Sequence, residues 1–221
     1  MRRLALAGAL LAGLAACADP GASPLPPPAS DGPVGPSVPP AAATGDSDGR
    51  AALDIHRPGD LGFYESFNMD GTPSTERFDN LEEGKQASTA VIIAQVVDIV
   101  SISLPAGDAT TLGVVLQPTD VVAGALPDES AHRLTVALPA GSTTDEEQLA
   151  KLRRRLPAQP GLWFLRQAND SFHPISPQGL FVQGNNRVET PLTRKGDGDM
   201  ASEGRNYRRL SALTNEIRGV R

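Results

Sequence analysis

The chain has 221 residues, 20 basic against 26 acidic side chains, a net charge of −6 and only 4% aromatic residues. A mildly acidic protein of this kind is a poor candidate for binding nucleic acid or anionic lipid headgroups. The single cysteine, Cys17, excludes an internal disulfide and a thiolate metal site.

The chain opens with Met1-Arg2-Arg3, a positive n-region, followed over residues 4–14 by Leu, Ala and Gly and then by small residues up to Cys17. That is the layout of a secretory signal peptide, and about a dozen apolar residues is short of the roughly 20 that a spanning helix needs. Arg2-Arg3 lack the flanking residues of a twin-arginine signal and read as a plain charged n-region. Leu14-Ala15-Ala16-Cys17 resembles the lipobox of bacterial lipoprotein precursors. The resemblance covers residues 1–17. It implies cleavage between Ala16 and Cys17, a diacylglycerol thioether on the Cys17 thiol, an acylated (palmitate-type) amino terminus and a cell-membrane location on the extracytoplasmic face. The competing reading is a free or buried cysteine just past an ordinary cleavage site. A two-chain lipid is enough for stable attachment, at about 0.8 kcal/mol per buried CH2.

Residues 17–50 read as the lipidated cysteine and a disordered linker of Pro, Ala, Gly and Ser, as in Pro24-Leu25-Pro26-Pro27-Pro28. Such a composition cannot bury enough apolar surface to offset its ordering entropy. Where extended it advances about 3.1 Å per residue, so it spaces the domain away from the anchor. Residues 51–221 are long enough for one globular domain with a real core.

Within that domain residues 51–77 read as irregular, with Pro58-Gly59 and Asp70-Gly71 as turns. Leu61, Phe63, Tyr64, Phe67 and Met69 form an apolar cluster there, expected to cover an open sheet edge. Residues 78–87 read as a short helix beginning near Asp79-Asn80. Residues 90–102 are β-branched and apolar on both faces, which predicts a long buried strand able to bend and serve two halves of a barrel. A second strand is expected over residues 112–117, ended by Pro118, with residues 121–126 leading into a loop. Residues 133–138 alternate, with Leu134, Val136 and Leu138 facing inward. A helix follows from the capping box Thr144-Asp145-Glu146-Glu147, with Leu149, Leu152 and Leu156 on one face and Arg153, Arg154 and Arg155 at its end.

Residues 161–166 read as a strand with Trp163 in the core, and residues 172–175 and 179–182 extend the β region. Gly184-Asn185-Asn186 reads as a hairpin turn before Arg187-Val188-Glu189. Residues 193–204 are polar and glycine-rich and read as a mobile loop, and residues 206–218 as a helix stopped by Gly219. The fold class expected is mainly β with one or two helices, a small OB-like or partly open β-barrel after the signal peptide and linker. The strand order over residues 88–190 is similar to small extracytoplasmic OB-like domains, including the inhibitory domain of tissue metalloproteinase inhibitors. The free N-terminal cysteine and the disulfides of those inhibitors are missing, so the resemblance implies a fold and no inhibitory residues.

Chemistry is sparse. There is no Gly-x-Ser-x-Gly elbow, no His-Glu-x-x-His and no phosphate-cradling glycine loop. His56, His132 and His173 are the only side chains that could serve as a neutral-pH base. Ser171 and His173 would share one face of a strand, with Asp170 adjoining, but triad members normally come from separate elements. Asp197-Gly198-Asp199 with Glu203 resembles a calcium loop that lacks a ligand at Ala201 and a turn glycine at Ser202. No cofactor, metal or catalytic residue is therefore expected. The function expected is a membrane-anchored, non-catalytic module that binds an envelope protein or glycan and no nucleic acid; the alternative is an envelope hydrolase using His173 or His132. Wild-type chain processed in a bacterial host should gain a lipid mass at Cys17 and partition with membranes, and Cys17→Ala should be released or left unprocessed; intact mass and fractionation check this.

Overall fold

The computed structural model describes residues 52–67, 76–103, 110–138, 146–168, 171–193 and 199–220, all within one compact unit. Ala16, Cys17 and the linker lie outside these residues. In chain order the elements are α1 (Pro58–Glu65), α2 (Leu81–Ala87), β1 (Ala90–Ser103), β2 (Thr110–Gly124), β3 (Leu134–Leu138), α3 (Glu146–Arg153), β4 (Gly161–Ala168), β5 (Ser171–Pro174), β6 (Leu180–Gln183), β7 (Val188–Glu189), α4 (Met200–Arg205) and α5 (Leu210–Arg218).

The strands lie in the order β1-β2-β3-β5-β4-β6-β7, and β4 also pairs with β1. Five strands therefore close a ring, and β6 with β7 extends from β4. Every pairing is antiparallel except β3–β5, which is parallel and holds by the single pair Val136 and Phe172. This is the expected OB-like barrel with α3 between its third and fourth strands, partly open at the β3–β5 seam.

The ring closes because β1 bends. Its pairing with β2 shifts register between Val91 and Ile92, between Ile93 and Ala94, and between Val96 and Asp98, and each such bulge kinks and twists a strand. The first part of β1, residues 90–94, can then reach β4 while its whole length follows β2. Ala90, Ile92, Ala94, Val96 and Ile99 point into the barrel with Leu134, Val136, Leu138, Trp163 and Leu165. Val91 and Ile93 point outward into a second core with Leu162, Phe164, Phe181, Met200, Leu210, Leu213 and Ile217. The strand is thus buried on both faces over residues 90–94, whereas Gln95, Ser101 and Ser103 in its far half are exposed. Each fully buried Val, Leu, Ile or Phe side chain contributes about 1.5–3 kcal/mol.

Several expectations change. Residues 51–77 are not wholly irregular: α1 occupies part of them, with Pro58 at its first turn, where the missing N–H is no loss. Phe63, Tyr64 and Phe67 enter the barrel core and do not merely cover an edge. Phe63 meets Tyr64 at 5.2 Å and Phe67 at 5.3 Å between ring centroids, and Tyr64 meets Trp163 at 6.1 Å, all edge to face. Burial, and then the Asp60 charge, push the Tyr64 phenol far above its usual range. Neither the Tyr64 hydroxyl nor Trp163 Nε1 has a hydrogen-bond partner among the described residues, so this plug is held by packing. Met69 lies outside the described residues.

Pro118 does not end β2, which continues to Gly124. It sits beside a register shift opposite Ala94, beyond residues 112–116 that pair with β3, so its missing N–H breaks no ladder bond on that side. Among the described residues there are five α-helices where one or two were expected. Where a mobile loop was expected over residues 193–204, Asp199 instead caps α4 by accepting from the Ser202 amide at 3.1 Å. In α4, Gly204 is required for close approach, because a Cβ there would stand 2.1 Å from the Phe181 ring. The C-terminal helix starts at Leu210 rather than residue 206 and stops at Gly219 in the left-handed region, φ 73°. Thr144 of the expected capping box lies outside the described residues, while Leu149 and Leu152 are buried as expected.

Two buried glutamines join the segment before α1 and the start of α5 to the sheet. Gln183, 4% exposed, accepts from the Leu210 amide at 2.8 Å and donates to the carbonyls of Gly184 at 2.9 Å and Arg208 at 3.1 Å. Gln159 accepts from the Arg57 amide at 2.9 Å and donates to the Gln183 carbonyl at 3.2 Å. Asp54 supplies the cap that α5 lacks, accepting from the Ser211 amide at 2.9 Å and hydroxyl at 2.7 Å. Replacing a buried amide by an apolar group leaves its partners unsatisfied at about 1–3 kcal/mol each. Gln183→Leu should therefore lose roughly 2–4 kcal/mol in chemical denaturation, whereas Gln86→Leu on the exposed face of α2 should change little.

Candidate functional site

An open groove of about 630 Å³ lies where the ring is weakest. Its walls come from the last residues of β1 (Val100, Ser101, Ile102, Ser103), the start of β3 (Arg133, Leu134, Thr135) with Glu129 and Ser130 before it, and the β4–β5 hairpin (Gln167, Ser171, Phe172). The topology explains its place. β4 pairs only with residues 90–94 of β1, so the far half of β1 diverges from it. β3 and β5 touch at one pair and separate on either side of it.

The chemistry of the lining is mixed. Hydroxyls of Ser101, Ser103, Ser130, Thr135 and Ser171 and the Gln167 amide stand over a floor that includes Leu134 and Phe172, both buried. Arg133, 63% exposed, sits 3.7 Å from Asp98. Asp98 also accepts from Arg153 Nε at 3.2 Å and from the Ile99 amide at 2.8 Å. Arg153 donates to the Ile99 carbonyl at 3.0 Å as well, so the last turn of α3 is pinned to β1 beside the groove. Asp98 is thus shared between a structural arginine and one that faces solvent.

The three histidines separate in role. His56 Nδ1 lies 3.3 Å from the Gln183 carbonyl and belongs to the tie between the chain ends. His132 is exposed. His173, on β5, has Nε2 3.0 Å from Ser171 Oγ, and Ser171 is a groove residue. The two side chains therefore share a face, as their spacing predicts. Ser171 Oγ is also 3.3 Å from the Ala168 carbonyl. A hydroxyl has one proton: if it goes to Ala168, the histidine must donate from Nε2 and cannot act as base toward the serine. Among the described residues no carboxylate orients Nδ1, and Asp170 lies outside them. Across the pairing from His173 stands Arg166, held on Glu76 at 2.6 and 2.7 Å. The arrangement is a serine–histidine hydrogen bond without the third member of a triad.

The acidic candidates are occupied. Asp199 receives Gln178 Nε2 as well as the Ser202 amide and stands 3.7 Å from Arg77, and Glu203 accepts from the Leu81 amide at 2.6 Å to cap α2. Both act as structural acceptors for backbone groups and side chains, not as a calcium loop; Asp197 lies outside the described residues. Among the described residues no group of three His, Cys, Asp or Glu could hold a metal ion, and no helix is long and apolar enough to cross a membrane. Lipidation at Cys17 and cleavage at Ala16 fall outside the described residues.

The groove was not legible in the chain. Arg133 read only as the start of a strand, and Gln167 and the end of β1 carried no signal, because the sites of a groove at a seam are collected by pairing. The chain matches no family model, no curated protein and no solved structure.

Partial burial pulls the His173 imidazole below its usual value of 6.5. With the folded value below the unfolded one, the contribution to stability is present above about pH 6.5 and is lost as pH falls through the folded value. His173 should titrate by NMR with a midpoint below 6.5, and His173→Gln should flatten the fall in Tm on acidification.

Proposed function

We propose that this chain is a lipid-anchored extracytoplasmic module that holds an extended envelope polymer in the groove, without catalysis. The observation that carries the reading is the groove at the β3–β5 seam, lined by hydroxyls and an amide beside the solvent-facing Arg133. Barrels of this architecture bind oligosaccharides and oligonucleotides on the face framed by the loops between the first two and the last two strands. The ends of β1 and β4, with Ser101, Ile102, Ser103 and Gln167, line the groove here. The acidic charge of the chain disfavours a nucleic acid, which leaves an envelope glycan as the preferred occupant and an extended protein segment as the other.

A second reading, an envelope hydrolase, is favoured by one observation, the 3.0 Å contact of Ser171 Oγ and His173 Nε2 beside the groove. Cell-wall glycan fragments titrated calorimetrically should bind saturably. Arg133→Ala with Gln167→Ala should weaken binding about tenfold or more, since loss of hydrogen bonds to a charged donor is worth about 1.5–3 kcal/mol. Ser171→Ala should change affinity modestly and abolish nothing. A turnover of the fragments that vanishes in Ser171→Ala and His173→Ala would replace binding by hydrolysis, and no saturable ligand among glycans or envelope proteins would sink both readings.

A further inference from the structure

We infer that the open pocket between α1, β7 and the end of α4 is a binding site for a small zwitterion of the α-amino-acid class, with the ligand's carboxylate seated on Arg205. The pocket shares no residue with the groove, so the inference goes beyond the reading given for the groove and does not depend on it.

The pocket measures about 400 Å³, toward the small end of the roughly 300–1,000 Å³ usual for ligand sites. Its walls are one face of α1 (Leu61, Glu65), the segment from β7 onward (Glu189, Thr190, Pro191) and Arg205 at the end of α4. Leu61 and Glu65 share that face because they stand one helical turn apart.

Arg205 is half-buried, and its hydrogen-bond partner is a neutral hydroxyl. Nε and Nη2 donate to Thr190 Oγ1 at 3.1 and 2.8 Å. One edge of the guanidinium is thereby fixed, and the other edge, the Nη1 and Nη2 fork that suits a carboxylate, is left to the pocket. Among the described residues Arg205 has no carboxylate partner, whereas Arg133, Arg153, Arg166, Arg187 and Arg218 are each ion-paired. Taking a cation partly out of water without a counter-charge is costly, and a bound carboxylate would remove that cost. Thr190 is buried and spends its oxygen on Arg205, so its own proton remains to be donated. No described residue accepts it. Fork and hydroxyl thus converge as donors on one oxygen-bearing group.

The remaining charges say which kind of anion fits. Glu65 and Glu189 border the same pocket, as does Arg187, whose Nε lies 3.0 Å from Glu189 Oε1. Two guanidinium groups and two carboxylates make the lining neutral in sum. A phosphate or a dicarboxylate would meet both glutamates as like charges, which disfavours it. A ligand whose carboxylate is joined to an ammonium group is complementary to both signs. Leu61, partly buried, and Pro191, buried, supply an apolar wall for a small side chain.

The test uses the chain from residue 17 onward carrying Cys17→Ser, so that no acyl chain contributes, and calorimetric titration with alanine, valine and leucine of either hand. Each is compared with its N-acetyl form, which lacks the ammonium, with its amide, which lacks the carboxylate, and with inorganic phosphate. Expected is saturable binding of at least one free amino acid, about tenfold or more tighter than either of its blocked forms or phosphate. Arg205→Gln should weaken that binding about tenfold or more, as loss of a charge-assisted pair does. Glu189→Gln should narrow the gap between the free amino acid and its N-acetyl form, and Arg133→Ala, in the groove, should leave the affinity unchanged. Arg205→Lys, which keeps the charge and loses the fork, serves with the same expected loss if Arg205→Gln fails to fold. Equal binding of the N-acetyl form or of phosphate would make this a plain anion site and overturn the proposal. So would the absence of saturable amino-acid binding, or an affinity that survives in both Arg205 variants.

Discussion

Everything else in this domain is arranged around the pairing of residues 90–94 of β1 with residues 161–165 of β4. These two short stretches are buried on both faces, the barrel interior on one side and the helical layer on the other. A central pair with no solvent face has to be covered twice. The aromatic plug of α1 and the ring of β2, β3 and β5 cover the inner face, and α2, α4 and α5 cover the outer one. The bulges of β1 are what allow one strand to serve both layers, since without them its far half could not leave β4 to follow β2.

Polar groups inside this arrangement act as fasteners between distant parts of the chain. Asp54 caps α5, Glu203 caps α2, and Gln159 and Gln183 hold the N-terminal segment, the start of β4 and the start of α5 together. In each case a side chain satisfies backbone groups that its own element leaves open, as helix ends require. The same economy explains why the acidic motif around Asp199 is structural: its oxygens are taken by Ser202 and Gln178.

The groove has the opposite origin. It exists where pairing fails, at a parallel seam held by one residue pair and along the half of β1 that β4 does not reach. Its lining mixes hydroxyls with apolar side chains, and the hydrogen bond of Ser171 with His173 lacks an orienting carboxylate among the described residues. A binding role asks for less from such a site than catalysis does. Shape, hydroxyls and one exposed arginine suffice for the former, whereas a nucleophile needs its base fixed in the right tautomer.

The apolar, β-branched run over residues 90–102 announced a strand, which is buried on both faces over residues 90–94, Leu134, Val136 and Leu138 announced their inward face by alternation, and Leu210, Leu213 and Ile217 by helical spacing. Gly184-Asn185-Asn186 announced the β6–β7 turn, closed by the Gly184 amide on the Arg187 carbonyl at 2.8 Å. These are local signals, written by the period of each element against a single buried face. The lipobox resemblance of Leu14-Ala15-Ala16-Cys17 is equally local, which is why the chain alone raises the anchor. Pro118 misled because a proline's effect depends on whether a neighbouring strand needs its N–H, and β3 ends before reaching it. The helix α4 hid in a polar, glycine-rich stretch because Gly204 answers to the Phe181 ring and not to helix propensity. The sequence by itself thus determined most of the strands, their inner faces and the C-terminal helix, and it raises the candidate anchor. Only the tertiary structure decided the closure of the ring, the seam that makes the groove and the fastening of the N-terminal segment to the start of α5 through Gln159 and Gln183, because these depend on residues far apart in the chain being brought into contact.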